Sequence, residues 1–234
     1  MLSEFPDDER MRVSHVTIYT SLYVRAQPGL SAELTTKLRT KRLRRHPQRR
    51  VTCGGKKSRI PDLVPIKDRP AEADDRQTPG HWEGDMIVGR YSASHIVTLV
   101  ERHSRLLIAI PLPLGATSER VIAALIDVFN KLPEPLRRTL TWDRRTEMVR
   151  HADFTAATGV PVFFCEGYSP WQRGTHENTN GLLRQYLPKS TDLNLTNTMR
   201  LEEIVTELNN RPRRALNWQT PHEVFNAAVL ALTA

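Results

Sequence analysis

Cysteine is scarce: Cys53 and Cys165 are the only two in 234 residues, and they lie far apart and outside any metal-ligand spacing. That excludes a disulfide framework and a thiolate zinc site, and each reads as a reduced thiol. Long apolar runs are missing too. No stretch reaches the roughly 18 consecutive apolar residues that a membrane-spanning helix needs. The opening MLSEFPDDERMR is acidic and polar, with no apolar signal-peptide core. The eight histidines, among them His81, His95, His103, His151 and His176, show no metal spacing and read as ordinary polar residues. The expectation is a cytoplasmic protein with no membrane partner. Its 39% apolar and 26% charged residues suit a soluble fold of one substantial domain plus a small one.

Acid is absent where base is dense. Between Lys37 and Arg59 stand eleven Lys or Arg residues and no Asp or Glu. The whole chain carries a formal charge of +8 and a pI near 9.9. A run of this kind between two segments that look folded favours a polyanionic partner, with Lys41, Arg42, Arg44 and Arg45 as phosphate-contacting candidates.

The chain divides into three parts. In residues 1–38, Ser14 caps a helix running to Val24, and Ser31 caps a second with Leu34 and Leu38 one turn apart. The Ser-His-Val-Thr start suits the second helix of a helix-turn-helix. Residues 39–77 are basic, then rich in proline and charge, and read as a linker along a phosphate backbone. From residue 78 the period changes. His81–Gly89, His95–Glu101 and Leu106–Leu112 read as strands in an antiparallel meander. A helix from Ser118 carries Ile122, Leu125, Ile126 and Phe129 on one face. A strand at Thr139–Trp142, a helix near Glu147–Thr158 and a strand at Val160–Cys165 follow. Helices are expected at Asn178–Tyr186, Leu201–Asn210 and Pro221–Leu230. The order βββαβαβαα with a helical tail makes an α/β fold with a mixed sheet, and matches a ribonuclease-H-like sheet.

Three acids stand out. Asp85 sits inside an apolar strand, HWEGDMIVG, where Asp is disfavoured. Asp143 follows the strand Thr139–Trp142 directly, and a carboxylate at a strand end faces a cleft. Glu177 begins the helix after the loop Ser169–Gly174. Converging carboxylates suit Mg²⁺, a hard cation that prefers oxygen, and a metal pair can drive phosphoryl transfer. Spacing alone equally allows Asp143 to cap a turn and Glu177 to cap a helix. Gln172 and Arg173 can contact phosphate or hold the loop, Asn178 and Asn180 can orient Glu177 or bond DNA, and Arg184 and Lys189 can reach phosphates. Trp82 and Trp142 read as core.

From about Met11 onward the chain resembles bacterial transposases of the insertion-sequence thirty family, within the retroviral-integrase superfamily. The stretches that carry the resemblance are MRVSHVTIYTSLY, HWEGDMIVG, TLVERHSR, TWDRRTEM, ATGVPVFFCE, SPWQRGTHENTNGLLRQYLPKSTDL and ELNNRPRRALNWQTP. With 33 residues between Asp143 and Glu177, the spacing fits the family's Asp-Asp-Glu pattern. The resemblance implies a ribonuclease-H-like integrase core with Asp85, Asp143 and Glu177 as catalytic metal ligands. It also implies Mg²⁺ dependence with Mn²⁺ as substitute, cleavage at the element's terminal repeats, and strand transfer into target DNA by a homo-oligomer.

Two departures set further expectations. Family members carry Gly shortly after the second Asp, where this chain has Arg144 and Arg145; a turn needing positive φ strains Arg145. Family members also extend further at the N-terminus, so the chain reads as a truncated copy. The competing function is a truncated, catalytically impaired DNA-binding remnant that inhibits the full-length enzyme.

Overall fold

Strands form where β-branched and apolar residues concentrate, and helices where apolar residues recur every three or four positions. In the computed structural model, which describes residues 13, 14, 16, 17, 60–92, 94–166, 169, 172, 174–189, 191–193 and 198–233, the core elements run in that order. They are β1 (His81–Val88), β2 (His95–Glu101), β3 (Leu107–Leu112), α1 (Ser118–Lys131), β4 (Thr139–Trp142), α2 (His151–Thr158), β5 (Val162–Phe164), α3 (Gly174–Tyr186), α4 (Thr198–Asn209) and α5 (Pro221–Thr233). The basic candidates Lys41, Arg42, Arg44 and Arg45, and Arg173 of the loop, lie outside the described residues. So does most of the N-terminal helix pair. The expected cap of the first helix is present: the Thr17 N–H donates to Ser14 Oγ at 3.0 Å.

The sheet has the order β3-β2-β1-β4-β5. Short turns join β1, β2 and β3, so these pair antiparallel, as the meander expectation required. Helical crossovers α1 and α2 bring the chain back to the same edge, so β4 pairs parallel with β1 and β5 parallel with β4. Side chains alternate across the sheet. One face carries Trp82, Val97, Leu99, Leu140 and Trp142, covered by α1 and by Phe154 of α2. The other carries Ile87, Ile96, Val100 and Leu107, covered by Leu182 and Leu183 of α3 and by Leu201, Ile204 and Leu208 of α4. Both expected core tryptophans are fully buried. No helix among the described residues is long and apolar enough to cross a membrane.

Three details depart from the sequence reading. The proline-rich stretch is built into the domain from Ile60 onward. Ile60 and Ala73 are buried, Pro65 bridges Phe164, and Arg69 Nη1 donates to Thr141 Oγ1 at 2.9 Å. The helix expected over Glu147–Thr158 is split into a 3₁₀ turn at Thr146–Met148 and α2. Arg150 causes the break by sending its backbone N–H to Ser118 Oγ on α1, at 3.1 Å. Finally, α3 starts at Gly174 rather than near Glu177, which places Glu177 within the first turn. The group that satisfies this early start comes from a distant strand.

Candidate active site

Asp85 and Asp143 come from neighbouring parallel strands. The register sets His81, Trp82 and Glu83 beside Thr139, Leu140 and Thr141. Carried two residues further, it sets Asp85 beside Asp143, the first residue past β4. Adjacent strands lie about 4.8 Å apart, so the two carboxylates stand side by side, Asp85 in mid-strand and Asp143 just past the end of β4. Both are half-buried, beside the point where β4 stops.

Gly84 makes this pairing possible. A Cβ at Gly84 would overlap the six-membered ring of Trp142, which lies flat against β1 on the α1 side. Trp142 is fully buried and has nowhere to go. Gly84→Ala is therefore expected to cost about 1–3 kcal/mol, the range for overpacking a dense core. Urea unfolding of the variant would measure this, and stability equal to the parent's would show that Trp142 is not pinned.

On the opposite face, α3 is fastened along β1. The His176 N–H, in the first turn of α3, donates to Glu83 Oε2 at 3.0 Å. Asn180 Nδ2 approaches Asp85 Oδ2 at 3.4 Å, and Arg184 Nη2 donates to the Val88 carbonyl at 2.8 Å. The three contacts advance in step, so α3 runs in the same direction as β1. Glu177, next to His176 in the first turn, is thereby held near the Glu83 position of β1. Thr98 on β2 adds a further tie, its hydroxyl 2.9 Å from His176 Nε2 and 3.3 Å from the Asp85 carbonyl oxygen. Glu83 is itself fully buried and paired with Arg102, whose Nε donates to the Ala73 carbonyl at 2.7 Å.

The loop after Asp143 overturns one expectation. Arg145 has φ −97° and ψ 160°, ordinary extended backbone, so the turn does not strain it. Its side chain turns back on the second Asp, with Nε 3.0 Å from Asp143 Oδ2. Arg144 Nε donates to the Cys165 carbonyl at 2.8 Å and ties the loop to β5. Glu147 is buried beside this pair. Burial first, then the charge of Asp143, pushes its carboxyl above the usual range, against the opposing pull of its own backbone hydrogen bond and of Arg145. Burial draws the Arg184 guanidinium below its ordinary value, and Asp85 opposes that shift.

The remaining candidates separate by what they touch. Gln172 holds the loop, its Oε1 accepting the Glu166 N–H at 2.8 Å. Asn180 meets Asp85 rather than Glu177. Arg184 is committed to the Val88 carbonyl. Asn178 and Lys189 are exposed. Sequence reasoning passed over Glu83, Thr98 and Gly84, and set His176 aside as an ordinary polar residue. A signal for Glu83 existed: it lies two residues before Asp85 and so faces the same side of the strand. The His176 contact joins residues 93 positions apart and left no local trace.

Among the described residues, no three His, Cys, Asp or Glu side chains stand close enough to hold one metal ion. The donor chemistry nonetheless fits a hard divalent cation, because Asp85, Asp143 and Glu177 offer only carboxylate oxygen. Asp143 already holds one cationic group, the Arg145 guanidinium. Glu177 is exposed in the first turn of α3.

Residues 75–170 match the integrase core domain. The fold resembles the catalytic core domain of BIV integrase, with a TM-score of 0.51 at 16% identity, over 66% of this chain and 99% of that one. The architecture is thus the ribonuclease-H-like α/β fold of integrase catalytic cores. Similarity to a transposase for insertion sequence element IS1086 from Cupriavidus metallidurans is 48% identity over 97% of this chain and 66% of the relative. Transposase InsI for IS30A from Escherichia coli is 44% identical over 97% of this chain and 59% of its own length. The chain belongs to this IS30-type family of bacterial insertion-sequence transposases. It spans about six tenths to two thirds of the length of these relatives.

Proposed function

We propose that this chain performs metal-dependent DNA cleavage and strand transfer, with Asp85, Asp143 and Glu177 as the catalytic ligands of Mg²⁺ or, in its place, Mn²⁺. The observation that carries this reading is the register of β1 and β4, which sets Asp85 beside Asp143, with the Glu177-bearing turn of α3 fastened to β1 over them. A bound divalent pair would supply activation of an attacking oxygen and stabilisation of the leaving oxygen. The chain's own residues do the positioning. Asn180 orients Asp85, Glu83 holds the first turn of α3, and Gly84 lets Trp142 carry β4 close to β1. Arg145 pairs with Asp143 and offsets its charge in the metal-free site. Strand transfer needs both element ends held together, so copies of the chain would act as a homo-oligomer on terminal repeats and target DNA in the bacterial cytoplasm.

The test is incubation of the purified chain with end-labelled DNA bearing element ends, in Mg²⁺, in Mn²⁺ and in EDTA. Nicked or joined products in either metal and none in EDTA are expected. DNA binding without any metal-dependent product would overturn the catalytic reading.

A further inference from the structure

The stretch ELNNRPRRALNWQTP finds no role in the carboxylate site, yet its loop between α4 and α5 is exposed and braced by several hydrogen bonds. Arg213 closes it on itself. Its N–H donates to the Gln219 carbonyl at 3.0 Å, and its own carbonyl accepts the N–H groups of Leu216 and Trp218, each at 2.9 Å. Arg213 Nη2 also donates to the Leu208 carbonyl at 2.9 Å, satisfying the C-terminal end of α4. The far side is held by a reciprocal cap on α5, in which the Thr220 N–H donates to Glu223 Oε2 at 2.7 Å and the Glu223 N–H to Thr220 Oγ1 at 3.1 Å.

What this bracing holds outward is an indole. Trp218 is 63% exposed, whereas Trp82 and Trp142 are fully buried. It sits at φ +69°, directly after Asn217 at φ +52°. Asn tolerates the left-handed region; a bulky aromatic there is strained. A residue that gains little from packing and is costly in its backbone gives a fold no reason to keep it. Such outliers point to function. The surroundings of the ring supply the chemistry. Arg211 and Arg214 belong to the same segment and are exposed. No acid occurs from Asn209 to His222.

We infer that this loop is a DNA contact surface in which Trp218 stacks on an unpaired base and Arg211 and Arg214 hold the flanking phosphates. An exposed aromatic face in a basic, acid-free loop has the chemistry that binds single strands without reading their sequence. Duplex DNA hides its base faces, so the surface selects frayed ends or strands separated near the cleavage site. The inference rests on the part of the proposed function that makes DNA this chain's binding partner.

The experiment measures affinity of the full chain for a labelled single-stranded oligonucleotide in EDTA, alongside thermal unfolding and tryptophan emission. Trp218→Gly should weaken binding by about 5- to 150-fold, the range for losing one stacked base. It should unfold at the same or a higher temperature, because Gly accepts φ +69° without penalty. Trp218→Phe should bind within a few-fold of the parent while losing part of the emission quenching caused by the oligonucleotide. Replacing both Arg211 and Arg214 with Ala should lower the salt slope of binding by about 1.4, at roughly 0.7 per phosphate contact on a single strand. Unchanged binding by Trp218→Gly while the parent binds overturns the inference alone. So does a lowered unfolding temperature that Phe restores without any effect on affinity, which marks the ring as packing. A parent chain that binds no DNA overturns this inference and the proposed function together, whereas a parent that binds but gives no metal-dependent product removes only the latter.

Discussion

Asp85→Asn is expected to reduce metal-dependent nicking by at least about 10³-fold, a loss of roughly 4 kcal/mol of transition-state stabilisation. The substitution removes one negative charge and almost nothing else. Asp85 Oδ1 accepts the Met86 N–H at 2.8 Å, and Oδ2 accepts Asn180 Nδ2 at 3.4 Å. An Asn at this position keeps one oxygen acceptor, and the Asn180 amide can flip to meet the new NH₂ group. Stability should therefore change by no more than about 1 kcal/mol, the usual worth of a single hydrogen bond. The neutral amide oxygen is a much poorer ligand for a hard cation than a carboxylate. Product formation on end-labelled DNA in Mg²⁺, with DNA binding in EDTA as the control, separates these effects. A variant that binds and nicks like the parent would remove Asp85 from the metal site.

The same strand shows how far the sequence could be read. Strand ends and the βββαβαβαα order were legible because β-branched runs, Gly159 after α2 and the proline pair after α1 are local signals. Asp85 was legible for the opposite reason, as a charge in an apolar strand that propensity alone would exclude. The start of α3 was not legible. Its first-turn N–H group is satisfied by Glu83, a side chain from a strand far away in sequence, where a local Ser or Asp cap would have announced itself. Residues from Ile60 to Gln77 looked like a linker because prolines break any period, yet Arg69 and Ala73 are buried against the sheet. The doubt raised by Arg145 also came from a local rule. Positive φ would have strained it, but the loop is extended there, and the arginine acts through its guanidinium on Asp143.

Glu83 separates holding the fold together from placing the catalytic groups. Its carboxylate is fully buried and pairs with Arg102, which is itself almost fully buried. Removing one partner of such a pair strands the other charge in the interior. Glu83→Leu is expected to cost about 3–5 kcal/mol in urea unfolding. Adding Arg102→Met should recover most of that loss, since replacing both buried charges with apolar groups of similar volume is often close to neutral. Activity should not return with stability. In the double variant the His176 N–H still lacks its acceptor at the first turn of α3, and Glu177, the next residue, loses the tie that holds its turn to β1. Asn180 and Arg184 would keep the later turns in place. The first turn is then free to fray, and the Mg²⁺ concentration for half-maximal nicking should rise by about 10- to 100-fold, the usual effect of losing a support behind a metal ligand. A double variant with both stability and metal requirement restored would reduce Glu83 to one half of a structural ion pair.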